Sequence, residues 1–187
     1  GKEVKISSPL DAMKLGMAYL PEDRKAEGII ADLSVRENII LAVQAKQGIL
    51  KKIPMAKQCE IADKYIDLLQ IKCASRETLI KQLSGGNQQK VVVGKWLARD
   101  SRVVIFDEPT RGIDVGAKAE IYKIIEELAC KGKGIIIISS EMPELIGLSQ
   151  RIIVLHEGEQ TGELRGKEMT QENIMTLASG YRKEEKE

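Results

Sequence analysis

The stretch that most restricts what this chain can become runs from Leu83 to Glu108, LSGGNQQKVVVGKWLARDSRVVIFDE. It begins with Ser84, Gly85 and Gly86 opening a helical pattern, and it ends with Val103–Phe106, four apolar residues, running into Asp107 and Glu108. Glycine lets backbone amides approach a ligand closely. A helix N-terminus beneath those amides carries roughly half a positive charge, so the Ser84–Gly86 turn is suited to an anion, phosphate above all. The apolar run reads as a strand buried on both faces of a parallel sheet, which delivers Asp107 and Glu108 to its carboxyl end. There one carboxylate can hold Mg²⁺ and a second can orient or deprotonate a water. Taken singly, a Ser-Gly-Gly is an ordinary loop and an Asp-Glu-Pro after a strand an ordinary turn. Their pairing across one amphipathic helix is what points to chemistry.

A length of 187 residues bounds the chain to one ordinary domain with room for a core. Its 29 basic and 28 acidic residues nearly cancel, which argues against nucleic-acid binding through a basic surface. Aromatic residues make up only 3%, so stacking platforms for single strands are not expected either. Cys59, Cys73 and Cys130 lack CxxC spacing and read as free thiols serving as small buried hydrophobes. No apolar run is long enough to span a bilayer, so a membrane role would come through a partner.

Along the chain, Lys2–Ile6 alternates and reads as a strand end, and Ser8-Pro9-Leu10-Asp11 as a helix start that Gly16 closes. Met17–Leu20 reads as a strand stopped by Pro21, and Pro21–Lys25 as a charged surface loop. Ser34 and Glu37 form a capping box before a helix with Val35, Ile39, Ile40 and Val43 on one face. A second helix follows Pro54, with Ile61, Tyr65, Leu68 and Leu69 as its inward stripe, and residues 71–80 read as a linker. After Gly86, Val91, Val92, Trp96 and Leu97 point inward. Asp114 suits a cap for a helix to Lys131 carrying Ile121, Ile124, Ile125 and Leu128. Residues 134–139 and 151–156 read as further strands of the parallel sheet, with His156 at the edge of the latter. Glu157-Gly158 reads as a turn, Thr161–Leu164 as a short strand, Thr170 as the cap of a last helix, and 182–187 as a frayed tail.

LSGGNQQ resembles the signature motif of ATP-binding-cassette (ABC) ATPases, and VVIFDEPTRGID resembles their Walker B strand running into the D-loop. With GNQQK, SSEMPEL and PEDRK, the resemblance narrows to the second cassette of tandem ATPases that drive monosaccharide importers. It implies an α/β fold: a partial P-loop NTPase with a mainly parallel sheet, plus a helical subdomain over about residues 34–85. The cofactors implied are ATP and Mg²⁺. By the same resemblance Asp107 is the metal ligand and Glu108 the catalytic base. Ser84, Gly85, Gly86 and Gln88, together with Glu22 and Asp114, are the nucleotide-facing residues. Two positions depart from the family pattern: Glu22 stands where a glutamine is usual, and Ser140 where a γ-phosphate-contacting histidine is usual.

No G-x-x-x-x-G-K-[ST] occurs in the sequence, and in the family that cradle lies upstream of the strand at Met17. The resemblance therefore implies the C-terminal part of one cassette, inactive alone, that lends its signature motif to a facing cassette. Implied partners are that second cassette, membrane permease subunits and, indirectly, a periplasmic sugar-binding protein, with no nucleic acid. The implied location is the cytoplasmic face of a membrane. Two alternatives stay open: a soluble ABC ATPase outside transport, and a degenerate dimerisation or regulatory cassette.

Overall fold

The computed structural model describes residues 3–48 and 50–180. These form two compact units, the described residues up to 138 and those from 139 onward. The tail expected over 182–187 lies outside the described residues.

The first unit opens with no regular structure over residues 3–7, so the strand expected near Ile6 does not form. Helix α1 (Pro9–Lys14) starts as its sequence dictates, with the Ser8 hydroxyl accepting from the Asp11 amide. Strand β1 (Met17–Leu20) follows. The charged segment after it is a single π-turn, Arg24–Gly28, whose cap Asp23 accepts from the Lys25 and Ala26 amides. Helix α2 (Val35–Gln47) carries the full Ser34–Glu37 capping box. Helix α3 (Met55–Leu68) buries Ala62, and Leu69 just beyond its end, while Leu68, expected inside, is 46% exposed. Tyr65 reaches across to donate to the Leu97 carbonyl at 2.9 Å.

Helix α4 (Gly85–Leu97) is the spine of this unit, with Val91, Val92, Val93 and Leu97 all buried and Trp96 only partly so. It leads to β2 (Val103–Asp107), then α5 (Val115–Cys130), which buries Ile121, Ile125 and Leu128, then β3 (Gly134–Ile138). The strands form a three-stranded parallel sheet in the order β1-β2-β3, with Leu20 opposite Phe106 and Phe106 opposite Ile137. Phe106 is fully buried, and burying such a side chain contributes about 2–3 kcal/mol.

The expectation that Val103–Phe106 is buried on both faces holds for one face only. Ala18, Leu20, Val104 and Phe106 share a covered face, packed by α4 and α5. On the opposite face Tyr19, Ile136 and Ile138 are 43–49% exposed, and Ile105 is half-buried. An apolar strand needs covering elements on both sides to be buried twice. Among the described residues of the first unit, α4 and α5 lie on one. The thiols differ from expectation as well: Cys130 is exposed and Cys59 and Cys73 are half-buried.

The second unit contains α6 (Met142–Leu148), β4 (Arg151–His156), β5 (Glu159–Arg165) and α7 (Gln171–Ala178). Strand β4, expected in the parallel sheet, instead forms an antiparallel hairpin with β5. The reason is the connection: Glu157 and Gly158 have φ of 48° and 84°, the left-handed pair that closes a tight hairpin. Ile152, Val154, Leu164, Ile174 and Leu177 form the core of this unit. Thr170 caps α7 through the Asn173 amide.

Candidate functional site

The backbone of β2 and the loop after it places the two acids. Asp107 ends the strand and accepts a 2.7 Å hydrogen bond from the Tyr19 hydroxyl on neighbouring β1. That bond raises the Tyr19 pKa, since an ionised phenol would face the carboxylate. Glu108 follows with φ of +45°, a left-handed conformation that a non-glycine residue adopts at a cost. It is held there because its amide donates to the Ile138 carbonyl at 2.8 Å and its carbonyl accepts from the Arg111 amide at 3.1 Å. Strain held by flanking hydrogen bonds in this way clusters at functional sites.

The Ser84–Gly86 turn begins α4 without a side-chain cap. The exposed Ser84 hydroxyl instead accepts from the Asn87 side-chain amide at 2.9 Å. The first intrahelical bond is made by the Gln88 amide, to the Ser84 carbonyl. First-turn amides have no partner inside their own helix, so the turn presents donors to an outside acceptor. Gly86 is needed for close approach, while at Gly85 the nearest obstacle is the movable end of the Arg24 side chain. A Cβ on Gly86 would lie 2.6 Å from the Ala117 Cβ, and one on Gly85 would lie 2.6 Å from an Arg24 terminal nitrogen.

Arg24, on the π-turn, ties this turn to the loop after β2. Its guanidinium donates to the Arg111 carbonyl at 3.1 Å and to the Gly112 carbonyl at 3.5 Å. Glu22 forms an ion pair with Arg111. Signature turn, π-turn and D-loop thus form one junction within the first unit.

The remaining expected residues fall elsewhere. Gln88 is buried at 6% exposure, and its side-chain amide donates to the Ile80 and Leu83 carbonyls. It braces the signature turn from behind. Asp114 caps α5 by accepting from the Ala117 amide at 3.0 Å. Ser140 is an exposed residue of the second unit, next to Ser139, whose hydroxyl bonds the buried Glu144 and accepts from the Glu141 amide. His156 ends strand β4, paired with Glu159. Sequence reading missed Tyr19, Arg24 and Arg111 as members of the junction. For the two arginines the only signal was their place within PEDRK and PTRGID.

No group of three or more His, Cys, Asp or Glu side chains among the described residues is placed to hold a metal by itself. A hard divalent cation such as Mg²⁺ keeps several waters and binds through one or two carboxylates plus phosphate oxygens. The Asp107 carboxylate at a strand end is suited to that kind of site.

Comparison with known proteins gives the same direction. The family model described as "ABC transporter" matches residues 1–111. A putative ribose/galactose/methyl galactoside import ATP-binding protein of Agrobacterium fabrum is 51% identical over 185 residues, covering 97% of this chain and 36% of that protein. The ribose import ATP-binding protein RbsA of Bacillus subtilis is 50% identical, covering 97% and 37%. The xylose import ATP-binding protein XylG of Geobacillus kaustophilus is 48% identical, covering 96% and 36%. The chain therefore spans a little over a third of the length of these relatives. Among solved structures, an ATP-binding cassette in a dimeric post-hydrolysis state with ADP and Pi superposes with a TM-score of 0.70 at 20% identity, covering 83% of this chain and 66% of that one. A second cassette superposes with a TM-score of 0.71 at 22% identity, covering 92% and 68%. At that identity the likeness concerns the fold. The matched family model spans more than half of the sequence and includes both the signature turn and the Asp107–Glu108 strand, and on that ground the chain belongs to the ABC transporter family.

Proposed function

We propose that this chain is part of the ATP-binding subunit of an importer for a simple sugar, and that it serves mainly by lending its signature turn to a facing cassette. The observation that carries the reading is the uncapped Ser84–Gly86 turn, with its first-turn amides presented beside the D-loop. The printed functions of the relatives, import of ribose, galactosides or xylose, support the sugar class.

In this reading the Ser84 hydroxyl and the Gly85–Asn87 amides face the γ-phosphate of ATP bound to the partner cassette. Asp107 takes part in holding Mg²⁺, and Glu108 orients the attacking water on its own side. Glu22, drawn to Arg111, and Ser140, which cannot act as a histidine, leave that own side weaker. By themselves these residues turn over no ATP, because the chain contains no Walker lysine. The assembly works at the cytoplasmic face of a membrane against permease subunits, fed by a periplasmic sugar-binding protein. No described helix is long and apolar enough to cross a membrane, which is compatible with a peripheral subunit.

The test is ATP hydrolysis and sugar uptake by the intact transporter. Ser84→Arg places a bulky side chain where donors meet the partner's phosphate. Loss of such preorganised donors costs on the order of a hundredfold in rate. Glu108→Gln is expected to cost much less. If Glu108→Gln abolishes hydrolysis while Ser84→Arg stays near wild type, this half is a working catalytic site and not a donor.

A further inference from the structure

The amino end of the parallel sheet, opposite Asp107, contains a cavity of about 520 Å³. It lies where α1, the last turn of α2 and the α4–β2 connection meet. Its position is set by the backbone: the Arg102 and Val103 amides both donate to the Gly16 carbonyl, which brings the Arg102 side chain over Gly16. One wall is apolar, with Leu10, Met13 and Leu15. The other holds Arg99, Arg102, Lys46 and Lys14, with Asp100 as its single acid.

Arg99 is the unusual member. It is only 6% exposed, its Nε is buried without a hydrogen-bond partner, and one terminal nitrogen donates to the Met13 carbonyl. No carboxylate among the described residues lies within ion-pair distance of Arg99, Arg102 or Lys46. The acid next in sequence, Asp100, is turned to Lys133 at 2.8 Å. Asp11, on α1, faces Lys14 at 3.9 Å and takes the Ser8 hydroxyl. Burial accordingly holds the Arg99 pKa below its usual value. A desolvated cation is costly unless paired, and buried charges are normally paired. Asp100, the one acid in the lining, interacts with Lys46 and Arg102 through space but is paired with Lys133, so cations outnumber acids around the open cavity beside the guanidinium.

We propose that this cavity binds a small organic phosphate monoester, its oxygens facing Arg99, Arg102 and Lys46 and its organic part lying against Leu10, Met13 and Leu15. Three cations suit a dianion better than a single carboxylate, and a guanidinium fork matches phosphate oxygens. The volume falls in the usual range for small-molecule sites, about 300–1,000 Å³. The site is separate from the signature turn and owes nothing to the transport reading.

Calorimetric titration of the chain with phenyl phosphate, inorganic phosphate and phenol tests it. Phenyl phosphate should bind, inorganic phosphate should bind about tenfold more weakly for lack of the apolar wall, and phenol should not bind. Lys46→Gln with Arg102→Gln changes two exposed residues, so the fold should persist, verified by its melting temperature. This pair should weaken phenyl phosphate binding about tenfold or more. Ser84→Arg, at the other anion-facing element, should leave it unchanged. Absence of binding at millimolar phenyl phosphate by folded protein, equal affinity in the Lys46→Gln/Arg102→Gln protein, or loss in Ser84→Arg would each overturn the proposal.

Discussion

The two ends of the parallel sheet treat charge in opposite ways. At the carboxyl end several charged groups have acceptors or donors close by, although the Arg24 Nε is buried without a hydrogen-bond partner. Glu22 pairs with Arg111, Asp107 accepts from Tyr19, and Arg24 commits its terminal nitrogens to two carbonyls. Between the two ends, Lys95, buried in the last turn of α4, donates to the Gly28 carbonyl at 2.6 Å. At the amino end Arg99 has one carbonyl, and Arg102 and Lys46 have no carboxylate within ion-pair distance among the described residues. The contrast teaches that the first end is built to keep a shape, since its contacts fix three loops against one another. The second end keeps a net positive charge in a cavity and gains little rigidity from it.

The strongest way to break the first half of that contrast is Gly86→Ala. In an ordinary helix this change stabilises by roughly 1 kcal/mol. Here the new Cβ would sit 2.6 Å from that of Ala117, so α4 and α5 must move apart. A net loss of about 1–3 kcal/mol is expected in chemical denaturation. A gain would show that the signature turn is not clamped against α5.

A comparable effect should appear as a pH dependence of stability. Burial lowers the Lys95 pKa from 10.5 to about 8. Between those values the unfolded chain holds a proton that the folded chain has lost, so stability rises with pH across the window. Below pH 8 the cost of burying the cation is fully present. The total change is on the order of 3 kcal/mol or less. Lys95→Met should flatten this slope while adding a pH-independent cost of about 1–3 kcal/mol for the Gly28 carbonyl left without its donor. Denaturation of both proteins at pH 7.5, 9 and 10.5 (chosen to bracket the two values, about 8 and 10.5) gives the difference directly. Parallel curves would dismiss Lys95 as the cause.

The smallest effect belongs to Glu22→Gln. An exposed ion pair contributes about 0–1 kcal/mol, so the melting temperature should barely move. The sharper measurement is proteolysis of the D-loop at Arg111, which should quicken once the side chain is released. Unchanged cleavage would mean that the Arg24 contacts alone hold the loop.

Much of this was legible locally. Ser8, Ser34, Asp114 and Thr170 each announce a helix start, and each side chain does cap in the structure. The strand ending in Asp107 was readable because four consecutive apolar residues before two acids leave few alternatives. What the strand composition could not say is what lies above it, since Ile105 and Ile136 look the same in sequence whether or not a helix covers them. The β4 pairing was in reach, because Glu157-Gly158 between two strands is itself a hairpin signal and outweighs the strand's apolar character. The Tyr19–Asp107 and Glu22–Arg111 contacts join residues far apart in the chain, and no local pattern encodes them. Gln88 misled for a related reason: a polar residue in a motif suggests a ligand, and this one turns inward to two carbonyls.

The left-handed backbone at Glu108 sets two kinds of selection against each other. Glycine or asparagine would occupy that conformation with less strain, so a library sorted only for heat resistance would discard the carboxylate. Under the proposed function, a library sorted for turnover of the intact transporter would hold on to it in proportion to the role proposed there for Glu108. The frequency of glutamate surviving each sort would therefore rank catalytic demand at this position against folding demand, without any structure of a bound nucleotide.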